Sequence, residues 1–270
     1  MKQRTITAVF FTLAMLAGIY GGKTSFFILF ILIAGGCAWE LGQMAFRSET
    51  RFVGLRIALC SALVGGVFLV MGGDMLHFWQ ISPIITTAFI PVVFTLLATT
   101  ELFLGGKNPI SNIATHFLGV FYLAIPFLLL VLIAVGDAYY PHRVLGLLLL
   151  VWTNDVGAYL VGSRWGKNKL MVRISPKKTW EGTLGGAVLA VLAAWGLSRL
   201  IPDFTLIQWI GLSQVAAVGS NVGDLVESMF KRSVGIKDSG QILPGHGGLL
   251  DRFDAFIYCL PLYWLVLQFL

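Results

Sequence analysis

Asp224, Glu227 and Lys231 follow one another at steps of three and four residues in GSNVGDLVESMFKR, with Ser220 one turn earlier and Ser228 between them. On a helix this spacing puts all of them on one face. Asp251 and Asp254, three apart in LLDRFD, would share the face of a second helix, and Asp155 stands beside Asn154 with Tyr159 one turn on. Two basic segments accompany these acids: residues 163–181 hold six Lys or Arg, and residues 231–252 hold four. Carboxylates can hold a hard divalent cation such as Mg²⁺, while lysines and arginines neutralise phosphate oxygens. Acids and bases on adjoining elements therefore suit the joint binding of a metal ion and a polyphosphate.

Each feature has a plainer alternative. Any one of the acids could be an interhelical ion pair with a nearby lysine, since intramembrane acids do pair with bases. SPKKTWEG, residues 175–182, offers Ser175, Lys177, Lys178 and Glu181 to a phosphate, yet a basic cluster beside a bilayer also attracts anionic lipid. His246 in GHGG sits among glycines that let a backbone approach a ligand closely, or it satisfies a local hydrogen bond. Gly182, Gly186 and Ala190 form a small-residue stripe suited to helix packing. It is also the one feature from which a homodimer would be expected. Glu40 is a lone acid in an apolar run, more simply paired or interfacial than catalytic. His77, His116 and His142 fall near the ends of apolar runs and are expected at the interface.

The elements that must position these residues are membrane helices. Hydrophobic residues make up 57% of the 270 and charged residues only 12%, about half the share of an ordinary globular domain. Such a chain cannot cover itself with polar groups in water, and lipid must be its solvent. The fold class expected is all-α, a polytopic transmembrane helix bundle. A bilayer core needs about 20 apolar residues of helix. Nine spans are read near 5–21, 25–46, 52–72, 83–104, 116–136, 143–163, 182–201, 207–230 and 252–270. The first is read as a retained helix, because no small-residue cleavage site follows it. Residues 1–140 would form an N-terminal region of five spans, and 141–270 a catalytic region of four. Cys37, Cys60 and Cys259 are isolated and read as apolar core residues.

The charges orient the bundle. Of nineteen Lys and Arg, all but Lys23, Arg143 and Arg199 fall on one side of the nine spans. The positive-inside rule makes that side cytoplasmic, along with the N-terminus, in a bacterial-type inner membrane. The net charge of +6 is thereby explained without nucleic acid. Of the eight acids from Asp155 to Asp254, all but Asp203 lie towards the same side, while the first five spans hold only Glu40 and a terminal Glu101.

The stretch SMFKRSVGIKDSGQILPGHGGLLDRFD, residues 228–254, resembles the signature of the phosphatidate cytidylyltransferases, the CDP-diacylglycerol synthases. Its Ser228, Lys231, Arg232, Lys237, Asp238, His246, Gly247, Gly248, Asp251, Arg252 and Asp254 match without departure. NDVGAYLVGSRWGKNKL, residues 154–170, and ISPKKTWEG are similar to the same family. The resemblance implies transfer of cytidylyl from CTP to phosphatidic acid at the cytoplasmic surface, with a divalent metal, Mg²⁺, alone or with a second cation beside it. It carries the metal ligands to Asp224 and Asp251, with Asp155 and Asp254 as further candidates. Catalytic roles are expected for Asp224, Asp251, Lys231, Lys237, Asp238 and His246. Substrate contacts are expected for Lys167, Ser175, Lys177, Lys178, Glu181, Glu227, Arg232 and Arg252.

A phosphomonoester is largely ionised near neutrality, its second pKa being about 6, so the nucleophile needs no strong base. The physical difficulty is the meeting of two polyanions, since unit charges 4 Å apart repel by about 4 kcal/mol at an effective dielectric near 20. Two rivals remain open at this stage. A CTP-dependent lipid kinase would transfer the γ-phosphoryl and release CDP, and a transporter would spread its acids across both halves of the chain.

Overall fold

The computed structural model describes residues 2–243, 245 and 247–269, so His246 lies outside the described residues. The chain is mostly helical and groups into two compact units. The first contains the chain up to Val131 together with Asp238–Leu250, and the second contains Leu132–Lys237 and Asp251–Leu270.

In the first unit, α1 (Lys2–Tyr20) turns at Gly21 and Gly22 into α2 (Lys23–Ala45). The helix α3 (Val53–Val67) runs through a π-helical turn, Phe68–Gly72, into the short α4 (Gly73–Met75). Then come α5 (Pro83–Leu104), α6 (Pro109–Gly119), a second π turn at Val120–Ala124, and α7 (Ile125–Ala134). Proline opens α5 and α6, where its missing N–H costs no helical hydrogen bond. The core forms on α2, whose Phe26, Phe30, Ala34, Cys37 and Ala38 are fully buried. Phe27 stacks on Phe68 at 5.5 Å, and Phe30 meets Phe127 at 5.9 Å. By contrast α5 is exposed along nearly its whole length, as an apolar helix facing lipid would be.

One polar knot interrupts this apolar unit. Arg56, fully buried, donates to both oxygens of Glu101 at 3.2 and 2.9 Å. Asn112 donates to Glu101 at 2.8 Å and to Glu49 at 3.2 Å, and the Lys107 amide also donates to Glu49, at 3.1 Å. Burying a charge is tolerable when its partners are in place, and here they tie α3, α5 and α6 together. The helix begins at Pro109, earlier than the 116 read from hydropathy. His116 is therefore buried against this knot rather than interfacial, with Nδ1 2.8 Å from the Asn112 carbonyl oxygen.

The second unit contains α8 (Pro141–Trp165), a hairpin of β1 (Lys169–Met171) and β2 (Ser175–Thr179), then α9 (Trp180–Leu200), α10 (Leu206–Ser233) and α11 (Leu250–Leu267), which begins one residue earlier in the first. The helices accord with the expected all-α bundle, and the hairpin is a short addition within residues 163–181, expected from sequence as a loop. Its strands are antiparallel, with Lys169 opposite Thr179 and Met171 opposite Ser175. The backbone pairs although the side chains do not alternate apolar and polar. The small-residue stripe of α9 packs on α8: a β-carbon at Gly182 would lie 2.8 Å from the Ala158 carbonyl oxygen and 3.1 Å from Gly162 Cα. Gly182, Gly186 and Ala190 are all buried, so the stripe is used within the chain and no longer points to a second copy.

Among the described residues, six helical stretches are long and apolar enough to cross a membrane: Lys23–Ser48, Val53–Met75, Pro83–Leu104, Pro109–Ala134, Pro141–Trp165 and Trp180–Leu200. The other three stretches expected to span are also helical, as α1, α10 and α11. The apolar part of α1, Thr5–Tyr20, is shorter, while α10 and α11 carry the polar residues of the site.

Candidate active site

Local chemistry sets the ends of the elements that carry the site. Thr205 and Gln208 close a reciprocal capping box at the start of α10. At its far end Gly235 takes φ +72°, a left-handed conformation that glycine adopts without strain. Thr179, the last residue of β2, caps α9 by accepting the Gly182 amide at 3.2 Å. Glu181 reaches back to accept the amides of Lys167 and Asn168, both at 3.1 Å, and the Asn168 side chain at 2.7 Å. This pins the turn that leads into the hairpin and so sets where Lys177 and Lys178 stand.

Those lysines face a cavity of about 610 Å³ within the second unit. Its walls include Asp155 and Tyr159 from α8, Lys169, Lys177 and Lys178 from the hairpin, Asn221, Asp224 and Lys231 from α10, and Asp251 and Asp254 from α11. The polar stripe read on the 220–231 segment is the face that α10 turns inward. Ser220 accepts from Asn154 Nδ2 at 2.6 Å, and Ser228 donates to Asp224 at 3.2 Å.

The lysines divide the acids between them. Lys178 Nζ lies 2.6 Å from Asp224 Oδ2 and donates to the Asn221 carbonyl at 3.2 Å. Lys231 touches Glu227 one turn back on its own helix and donates to Asp251 Oδ1 at 2.7 Å. This is the ion-pair arrangement held open from the sequence, and it does not account for all the charge. Asp224, Glu227 and Asp254 bring one oxygen each within 4.8 Å of one another. At that distance like charges repel by about 3 kcal/mol at an effective dielectric near 20. Glu227 is fully buried, and apart from the Lys231 ion pair neither of its oxygens has a hydrogen-bond partner among the described residues. Asp254 is also buried.

A divalent cation fits this trio. Three hard oxygen donors converge, one carboxylate is left unsatisfied, and opposite ligands of Mg²⁺ stand only about 4.2 Å apart. The trio shares Asp224 and Asp254 with the metal set expected from sequence and adds Glu227; Asp251 and Asp155 lie outside the trio. Asp251 is engaged by Lys231, and Asp155 lines the cavity beside Asn154, whose Nδ2 is 3.5 Å away.

The remaining expected residues lie apart from the cavity walls. Lys167, Arg232, Lys237 and Arg252 are exposed, and Ser175 is half-buried on β2. Arg232 donates to the Ile236 carbonyl at 2.7 Å, closing the end of α10. Asp238 is exposed in the first unit. Sequence reasoning passed over Lys169, Thr179, Thr183 and Asn221 as lining residues. The signal for Asn221 was its place beside Ser220 on the polar face. Lys169 was counted only as a loop charge, since nothing local told its direction.

Comparison with known proteins agrees with this chemistry. The Cytidylyltransferase family matches over residues 2–270. A phosphatidate cytidylyltransferase of Staphylococcus haemolyticus (strain JCSC1435) is 35% identical over 266 residues, with 97% of both chains covered. Those of Staphylococcus aureus (strain COL) and Staphylococcus saprophyticus subsp. saprophyticus are 35% and 33% identical over 270 residues, again with 97% of both chains covered. The chain belongs to the cytidylyltransferase family.

Proposed function

We propose that this protein transfers the cytidylyl group of CTP to phosphatidic acid, giving CDP-diacylglycerol and pyrophosphate in phospholipid synthesis. A phosphate oxygen of phosphatidic acid forms a bond to the α-phosphorus of CTP, and the bond from that phosphorus to the bridging oxygen of pyrophosphate breaks. The observation that carries the reading is one cavity lined by Asp224 and Asp254, on which the buried Glu227 converges, and by the lysines of the hairpin. The relatives' shared name supports the choice of substrates.

Asp224, Glu227 and Asp254 would hold Mg²⁺, and Asp251 and Asp155, which line the same cavity, are the candidates for a second cation. The metal, when bound, supplies positive charge to phosphate oxygens of both substrates. Lys177, Lys178 and Lys169 bind phosphates of CTP and steady the departing pyrophosphate. Lys178 must release Asp224 to do so, and the partial exposure of both groups lets the pair part. Lys231 bridges Glu227 and Asp251 and so ties α10 to α11 beside the cavity. Lys237, Asp238 and His246 keep the catalytic roles, and Arg232 and Arg252 the substrate contacts, implied by the matching signature, and Glu181 acts by setting the hairpin.

The reading includes nine spans with the cavity at the cytoplasmic side of an inner membrane. CTP is soluble and phosphatidic acid keeps its headgroup at the interface, so the site must be open to both. The charge distribution supports that orientation.

Purified protein, supplied with phosphatidic acid, Mg²⁺ and CTP labelled at either the α- or the γ-phosphorus, tests the reaction. The α-label should enter the lipid and the γ-label should leave as pyrophosphate. A γ-labelled lipid with free CDP would instead establish a lipid kinase and overturn the reading.

A further inference from the structure

Glu40, read from sequence as a lone acid, is fully buried in α2. Its carboxylate gathers three donors from a segment some 200 residues further along the chain. Oε2 accepts from Ser239 Oγ at 2.9 Å and from the Leu250 amide at 2.8 Å, while Oε1 accepts from the Leu249 amide at 3.0 Å. A carboxylate in an apolar helix is costly unless its lone pairs are filled, and here they are filled by this one segment. The approach is close on every side. A β-carbon at Gly240 would overlap Glu40, one at Gly248 would overlap the Ser239 hydroxyl and lie 2.6 Å from Oε2, and one at Gly36 would meet Leu249 Cδ2 at 2.7 Å.

Leu250 is the first residue of α11, so Glu40 takes one of the amides that a helix start leaves without a partner. Its negative charge also lies where the helix dipole favours it. Asp251 and Asp254 follow in the first two turns of that helix. We propose that Glu40 is a positioning residue: by holding Ser239, Leu249 and Leu250 it fixes the start of α11, and with it the placement of Asp251 and Asp254. This rests on the cytidylyltransferase reading of those acids. It also gives the N-terminal helices a part in the reaction without placing any of their side chains on substrate.

The test joins hydrogen exchange, which is independent of activity, to kinetics on the purified full chain. Wild type, Glu40→Gln and Gly248→Ala are compared. Glutamine presents one oxygen where three donors converge, and Gly248→Ala pushes the segment off an intact Glu40. Both variants should exchange the amides of residues 249–254 at least tenfold faster, with the amides of α2 protected as in wild type. Misplacement by about 1 Å can cost on the order of a hundredfold in rate. Turnover should fall by about that factor, and the Mg²⁺ requirement should rise while the KM for CTP stays within threefold, because the lysines of the hairpin are untouched. If Glu40→Gln does not fold, Gly248→Ala decides by the same readouts. Unchanged exchange at 249–254, or a loss carried by the KM for CTP alone, would overturn the proposal. Wild-type protein that makes no CDP-diacylglycerol would sink the functional reading instead, and the exchange arm would still decide whether Glu40 holds the helix start.

Discussion

The ammonium of Lys178, on strand β2, sits 2.6 Å from Asp224 Oδ2, at the inner face of α10. The contact sets the lysine proposed to bind phosphate against an acid proposed to bind metal. Both groups are partly open to solvent, at 21% and 40% exposure, so the pair is weak enough to exchange partners.

Lys178→Met should therefore impair substrate handling more than folding. Loss of one charge-assisted hydrogen bond to phosphate is worth about 1.5–3 kcal/mol, or roughly 10- to 100-fold in kcat/KM for CTP. Lys177→Met, which removes an exposed lysine that pairs with no acid among the described residues, should cost less. Steady-state kinetics against CTP checks both, and equal, unchanged kinetics would return the segment to a lipid-surface role.

Lys231 differs in being buried between two acids. Lys231→Met should destabilise the protein by about 3–5 kcal/mol, because Glu227 and Asp251 would be left without their base. The double variant Lys231→Met with Glu227→Gln should recover part of that loss. Thermal unfolding in detergent measures both, and a single variant as stable as wild type would remove the pair from the structural account.

The helical stripe on α10 was legible because helical spacing is a local property: once residues 207–230 are a helix, Ser220, Asp224, Glu227 and Lys231 must share a face. Which lysine meets which acid was not legible, since Lys178 and Lys231 were both within plausible reach of Asp224. The choice of Glu227 over Asp251 for the acid trio likewise depends on the packing of α10 with α11. The hairpin was missed because Lys169–Thr179 lacks the apolar alternation that announces a strand. The partners of Glu40 were out of reach of any pattern, lying 199 to 210 residues away.

The knot in the first unit gives a contrasting prediction. Glu101→Gln leaves buried Arg56 facing a neutral partner, and the melting temperature should fall with a loss of about 3 kcal/mol or more. Turnover per folded molecule should stay as in wild type, since Glu101 is an acid with a structural task. A selective loss of turnover at unchanged stability would contradict that division.

Close packing of α8 on α9 predicts a steric effect of similar kind. Gly186→Val would drive side-chain atoms into the Asn154 backbone, where a single β-carbon already comes within 2.6 Å of the carbonyl oxygen. Overpacking of this sort costs about 1–3 kcal/mol. The shift should appear in thermal unfolding, whereas Gly196→Ala, at an open position of the same helix, should be nearly neutral.

Electron paramagnetic resonance of Mn²⁺, which accepts the same hard oxygen ligands as Mg²⁺, reaches the acid trio most directly. Titrated into purified protein with CTP present, Mn²⁺ should occupy a saturable site. Asp224→Asn, Glu227→Gln and Asp254→Asn should each weaken that site about tenfold or more, and Glu101→Gln should leave it intact. Wild-type affinity in all three trio variants, with the proteins folded, would show that these acids gather no cation and would remove the basis on which the two anionic substrates are brought together.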